Sequence, residues 1–335
     1  MTSEFGQYFQ EIRSQLNLDE MPQSSPLVVI VGPTAVGKTL KAIQLAELMN
    51  GEIVSADSRL FYRGMDIGTA KPSASERARV PHHLIDVAEP DQTWSIVVFK
   101  QSAKEAIAEI HSRGKLPFLV GGSGQYVHSV TKGWTPPSVK PNHELRAELE
   151  NLAKVYSPGW LHDKLSLLDP SAAEIIDPRN VRRTIRALEV IFTSGHRFSE
   201  LKKQVPTPYN LVQIGLILSR PDLYKRIDAR IDEMFERGLL LEVKALLAKG
   251  YSQDLPTMSA IGYRESLKIL EGQLTEEEAK KQMRKSTRIF VRRQANWFKE
   301  NDNSIKWFNA DTEVDLIARH IKDCLTNQKA LLSQD

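Results

Sequence analysis

The stretch Leu27-Val28-Val29-Ile30-Val31-Gly32-Pro33-Thr34-Ala35-Val36-Gly37-Lys38-Thr39 decides how this chain folds. Its five opening residues are apolar and mostly β-branched, the signature of a strand buried on both faces. The pattern Gly-x-x-x-x-Gly-Lys-Thr follows at once. Gly32 and Gly37 let the chain turn, and the backbone N–H groups of the loop that includes Thr34, Ala35 and Val36, after Pro33, point inward. Lys38 supplies a mobile cation, the Thr39 hydroxyl can ligate Mg²⁺, and the helix that begins here adds its positive end. That helix, to Met49, is apolar at Ile43, Leu45, Ala46 and Leu48, and Asn50-Gly51 stops it. Glu52-Ile53-Val54-Ser55 is the next strand. A strand–loop–helix–strand unit predicts a parallel sheet with a right-handed crossover, and a diphosphate or triphosphate on the loop.

The same texture continues outward. His83–Val87 and Leu116–Val120 read as strands, with a helix over Ser95–His111 between them whose Phe99, Ala103, Ile107 and Ile110 recur at three and four. After Trp134-Thr135-Pro136-Pro137 the pattern turns helical, punctuated by Ser157-Pro158, Asp169-Pro170 and Asp177-Pro178, each a capping oxygen before a proline. No strand signal appears over 142–205. Leu211–Leu218 then restores an apolar strand. Long helices follow Pro221, and Thr275-Glu276-Glu277-Glu278 forms a capping box that opens a basic helix. The predicted fold is α/β: a P-loop NTPase-like core with a parallel sheet flanked by helices, plus an all-helical insert domain. The boundaries expected are a flexible N-terminal extension over 1–25, the core over 26–135 and 207–310, the insert over 136–206, and a C-terminal helical tail over 311–335.

With 335 residues, 41% of them hydrophobic and 26% charged, the chain is of ordinary globular composition. No apolar run approaches the about 20 residues of a membrane helix. The first 20 residues carry acids and no continuous apolar core, unlike a targeting peptide. Cys324 is the single cysteine, which excludes an internal disulfide and a thiolate zinc cluster. These features point to a cytosolic protein. The net charge of +3 hides a local excess: Lys280, Lys281, Arg284, Lys285, Arg288, Arg292, Arg293 and Lys299 share one stretch with no acid. Arg179, Arg182, Arg183 and Arg186 form a second group. Such clusters suit polyanionic partners as well as solvated helix faces. Phe290, Trp297 and Phe298, interleaved with the first, read as core aromatics.

The candidate chemistry lies at strand ends. A nucleotide hydrolase offers an apolar strand ending in an acid, but Leu116–Val120 ends in Gly121-Gly122-Ser123-Gly124. Asp86 is a substitute for that acid or a helix cap. Ile53–Ser55 leads to Asp57-Ser58-Arg59. Ligands of open parallel sheets collect beyond the carboxyl ends of the strands, so Asp57 and Ser123 are expected in the same crevice as the phosphate loop. There Asp57 can accept a proton from a nucleophile.

The block Asp57-Ser58-Arg59-Leu60-Phe61-Tyr62-Arg63-Gly64-Met65-Asp66-Ile67-Gly68-Thr69-Ala70-Lys71-Pro72, with Gly32–Thr39, Pro81–Asp86, Gly121–Tyr126, Arg183–Glu189 and Ile261–Glu265, resembles the bacterial tRNA dimethylallyltransferase (tRNA isopentenyltransferase) family over about residues 26–308. The resemblance implies transfer of a dimethylallyl group from dimethylallyl diphosphate to N6 of adenosine 37, next to the anticodon, giving N6-(dimethylallyl)adenosine and diphosphate. It implies that Asp57 is the general base and that Lys38, Ser123, Arg220 and Mg²⁺ on Thr39 hold the diphosphate. It places tRNA contacts at Asp57, Ser58, Arg59, Leu60, Ser123, Pro137, Arg182, Arg183, Arg186, Ser259, Ala260, Ile261, Gly262, Tyr263, Arg264, Arg284, Arg288 and Arg292. A cytoplasmic monomer with tRNA and the allylic donor as partners, and no membrane, is the expectation. Gln294 lies in Val291-Arg292-Arg293-Gln294, where members have Ala-Lys-Arg-Gln, and has no assigned role. The rival readings are a small-molecule kinase with ATP on the loop, and an adenylate isopentenyltransferase that accepts free AMP.

Overall fold

The computed structural model describes residues 25–332 except 136, 138, 202 and 205. The expected N-terminal extension therefore lies outside the described residues, save Ser25. The chain divides into two compact units, one from the residues up to Thr131 and from Pro208 onward, the other Lys132–Thr207. In chain order the first unit contributes β1 (Ser25–Val31), α1 (Lys38–Leu48), β2 (Gly51–Ser55), α2 (Ala74–Arg79), β3 (His82–His83), α3 (Ile96–Ser112), β4 (Leu116–Val120) and α4 (Gly124–Thr131). The second unit holds β5 (Trp134–Thr135), α5 (His143–Val155), α6 (Pro158–Leu168), α7 (Pro170–Ile175), α8 (Val181–Ser194) and β6 (Lys203–Gln204). The first unit resumes with β7 (Tyr209–Ile217), α9 (Arg220–Glu236), α10 (Leu239–Ala248), α11 (Tyr263–Leu270), α12 (Glu276–Ala295), β8 (Ile305–Asn309) and α13 (Val314–Leu332).

The first unit is built on a six-stranded sheet in the order β3-β2-β4-β1-β7-β8. All its pairings are parallel, with Val29 facing Leu119 on one side and Gln213 on the other. β1 is central, and its alternation fills two cores. Val28 and Ile30 pack in the layer with Ile43 and Leu45 of α1 and Ile227 of α9. Leu27, Val29 and Val31 pack with Phe99, Ala103, Ile107 and Ile110 of α3. Burial of this kind is worth about 1.5–3 kcal/mol per large aliphatic side chain. Because every strand runs the same way, the segments after β1, β2, β4 and β7 emerge at one end of the sheet.

Local sequence chemistry sets the helix ends. The Ser95 hydroxyl accepts Val98 N–H at 3.3 Å and caps α3. Thr275 and Glu278 form the expected capping box of α12. Two expectations change. The strand expected over His83–Val87 is only His82–His83, because Leu84 and Asp86 have φ of 59° and 57°, where a ladder cannot continue. The edge strand β8 was not anticipated.

In the second unit, α5–α8 close a small core around Leu149, Leu161, Leu165, Ile185 and Leu188. Ser157 and Asp169 cap helices before their prolines, whereas Asp177 instead holds Arg179 and Asn180 caps α8. The β5–β6 pair is antiparallel, so the insert, expected all-helical, also carries a two-residue strand pair. Glu189 is fully buried and accepts from Arg146 Nε and Nη2 at 2.8 and 2.9 Å and from Asn142 N–H at 2.7 Å. Burial alone would raise its carboxyl, but Arg146, Arg186 and Asn142 outweigh burial and hold it below the usual range.

Candidate active site

The phosphate loop leaves the central strand at Gly32, whose φ is +148°. A Cβ there would lie 2.5 Å from the Leu216 carbonyl oxygen of β7, so glycine alone allows the close passage. Lys38 curls back over the loop and donates from Nζ to the Gly32 and Pro33 carbonyls at 3.1 and 2.8 Å. Burial pushes its ammonium down to about 8, with Asp57 pulling the other way and Arg230 adding to the fall. Burial likewise lowers Arg230, while Asp57 and Glu233 oppose it. No acid stands in the first turn of α1, so no side chain of that turn offsets its positive end. Two desolvated cations therefore share Asp57, an arrangement suited to a further, multiply charged anion.

Beside the loop lies a cavity of about 520 Å³. Thr34, Asp57, Arg59, Ser123, Arg230 and Arg293 contribute its polar lining, with Ile227 and Phe290 among its apolar walls. A smaller space of about 40 Å³ touches Lys38, Thr39, Ser55, His82 and Leu60, and Asp57 lines both. The carboxylate is fixed: Oδ1 accepts Arg59 N–H at 3.1 Å, and Ala56 N–H donates to Val120 at 2.8 Å. Gly68 and Thr69 form another wall. Glu242 anchors that segment, accepting the N–H groups of Asp66, Ile67 and Gly68 at 2.9, 2.7 and 3.2 Å and the Tyr263 hydroxyl at 2.6 Å.

The cavity gathers Thr34, Ala35, Asp57, Ser58, Arg59, Ser123, Ser259, Ala260, Ile261 and Arg264 of the residues expected from sequence. Arg220 is not among its lining: it is exposed at the start of α9. Arg230, nearly three turns further along α9, occupies the place expected for it. The missed signal is an arginine flanking the apolar stripe Leu223, Ile227 and Ile231. Leu60, Pro137, Gly262 and Tyr263 are buried rather than presented to a polymer. Arg284 and Arg288 are occupied by Asp232 and Asp228 of α9, at 2.7 and 2.8 Å. Arg186 is spent on Glu189 and on the Val139 carbonyl. Asp86, the substitute metal acid, is held by Lys71 and Arg77 at 2.6 and 2.8 Å. Arg182, Arg183 and Arg292 are exposed. Phe298 is core, as read from sequence, but Phe290 and Trp297 are exposed.

The family profile described as IPP transferase matches residues 60–301. The chain belongs to the IPP transferase family. Among IPP transferases it is 52% identical over 278 residues to the tRNA dimethylallyltransferase of Roseiflexus sp. (strain RS-1), covering 83% of this chain and 91% of that one. The tRNA dimethylallyltransferase of Herpetosiphon aurantiacus is 46% identical over 314 residues, 93% of this chain and 96% of its own. Among solved structures, the tRNA isopentenylpyrophosphate transferase of Bacillus halodurans aligns with a TM-score of 0.69 at 43% identity, over 92% of this chain and 99% of that one. A eukaryotic dimethylallyltransferase captured acting on tRNA aligns with a TM-score of 0.75 at 28% identity, over 91% and 80%.

In this IPP transferase the loop lysine has a testable consequence. A lysine ionises near 10.5 when unfolded and near 8 here. The folded enzyme thus binds fewer protons between those values, and the charged lysine costs stability below about pH 8, a cost that fades as pH rises. A bound diphosphate favours the charged form. Titration calorimetry with inorganic diphosphate is therefore expected to show affinity falling above about pH 8, as free-enzyme Lys38 loses its proton. Affinity constant to about pH 10 would remove Lys38 from the anion site.

Proposed function

We propose that this chain transfers a dimethylallyl group from dimethylallyl diphosphate to N6 of adenosine 37 in tRNA. The observation that carries the reading is the convergence of Asp57, Ser123 and Arg230 with the phosphate loop on one cavity large enough for a nucleobase. The names of its relatives support the same activity.

In this reading the loop grips a leaving group. The C1–O bond of the donor breaks, N6 bonds to C1, and the N6 proton passes to Asp57. Negative charge builds on the departing diphosphate, and Lys38, Arg230, the loop N–H groups and the Ser123 hydroxyl stabilise it. The N6 lone pair is delocalised into the ring, so the amine needs an acceptor that orients it, and Asp57 is that acceptor. Among the described residues no three metal-ligating side chains cluster. The donor set near Thr39, one hydroxyl with the Asp57 carboxylate in the same space, fits Mg²⁺, which takes most of its ligands from phosphates and water. Thr39 would hold the ion, whose contribution is to neutralise charge on the leaving diphosphate.

An adenosine must leave its stack to reach Asp57, at a cost of a few kcal/mol. Exposed Arg182 and Arg183 on the insert unit, and Arg292 and Arg293 on α12, offer phosphate contacts to offset it. Phosphoryl transfer has less support: β4 ends in glycines, and Asp86 is already engaged. Competition between AMP and an anticodon stem-loop for radiolabelled donor tests the acceptor. Label should enter the stem-loop; label entering AMP instead would make the enzyme an adenylate prenyltransferase.

A further inference from the structure

We infer that Gln294 is a positioning residue for the donor: its side-chain amide ties the phosphate loop to the turn that carries Ser123. This rests on the reading that the loop grips the diphosphate. Gln294 stands near the end of α12 and is only 5% exposed. Its Oε1 accepts the Thr34 N–H at 2.9 Å, and its Nε2 donates to the Gly122 carbonyl at 3.1 Å. The partners fix the amide's orientation, since a backbone N–H only donates and a carbonyl only accepts.

Thr34 and Ser123 both line the cavity, and one amide bonds the first directly and the second through its neighbour Gly122. The two segments pass so closely that a Cβ on Gly122 would lie 2.2 Å from Gln294 Nε2 and 3.2 Å from the Gly32 carbonyl oxygen. Glutamine meets the need for one acceptor and one donor without net charge. A glutamate loses the donor and sets a negative charge beside the diphosphate. A methionine has similar length and leaves both backbone groups unpaired. Gln294 is not among the residues lining the cavity; it acts by holding segments that are. The preceding residue on α12, Arg293, lines the same cavity, so the helix that braces the phosphate loop also presents a cation to that cavity.

The test uses the full chain with tRNA and dimethylallyl diphosphate, comparing Gln294→Met, Gln294→Glu and Gly122→Ala with wild type. The readouts are donor KM, kcat, tRNA Kd and melting temperature. Donor KM should rise about ten- to a hundredfold in Gln294→Met, which loses two buried hydrogen bonds, and further in Gln294→Glu, with tRNA Kd unchanged. Gly122→Ala, which displaces the amide without altering it, should give the same donor-selective defect. Wild-type donor KM in all three variants overturns the role. So does a joint fall of donor affinity, tRNA affinity and melting temperature, the mark of a packing residue alone. Wild-type enzyme inert with dimethylallyl diphosphate would instead overturn the functional reading beneath it.

Discussion

Replacing Asp57 by alanine is expected to lower the single-turnover rate by about 10²–10⁴-fold while tRNA and donor still bind. The size follows from what the carboxylate does in the reaction proposed. A neutral exocyclic amine gains positive charge as the N–C bond forms, and an adjacent base removes the proton as that charge develops. The Arg59 N–H holds one carboxylate oxygen at 3.1 Å and so aims the group, and Asp57 lines both the small space beside Lys38 and Thr39 and the larger cavity. Asp57→Asn should fail nearly as badly, since an amide keeps the shape and loses the basicity. Filter binding and single-turnover kinetics separate the two effects. A rate near wild type in either variant would move the proton acceptor elsewhere.

Arg230→Ala should cut kcat/KM for the donor by about 10²–10³-fold, the range for removing one preorganised charge stabiliser, whereas Arg220→Ala should leave it unchanged. The pair separates two arginines on one helix. Arg230 is desolvated and feels Asp57, and among the described residues none holds its guanidinium by a hydrogen bond or ion pair. Arg220 begins α9 in the open. A donor defect in Arg220→Ala with normal kinetics in Arg230→Ala would reverse the assignment.

The two arginines also mark where sequence reading stops. β1, the phosphate loop and α1 were legible because strand and helix periods and two glycines act locally. The family resemblance points to Arg220, but the direction of a side chain around α9 is set by which stripe of that helix is buried. Packing of that kind is a long-range property. The basic stripe of α12 shows the same limit: spacing places Arg284 and Arg288 on one face, yet Asp228 and Asp232, four residues apart on α9, meet that face and neutralise it. β8, Ile-Lys-Trp-Phe-Asn, is short and half-exposed at a sheet edge, so no apolar run announces it. Gln294 gave no signal either, because its partners are backbone atoms of Thr34 and Gly122, far away in sequence.

The most direct test incubates the purified protein with dimethylallyl diphosphate, Mg²⁺ and an unmodified tRNA transcript, then weighs the nucleosides. One adenosine per transcript, beside the anticodon, should gain a single five-carbon unit as diphosphate is released. RNA of unchanged mass, or donor converted without RNA alkylation, would contradict a phosphate loop that serves a prenyl leaving group.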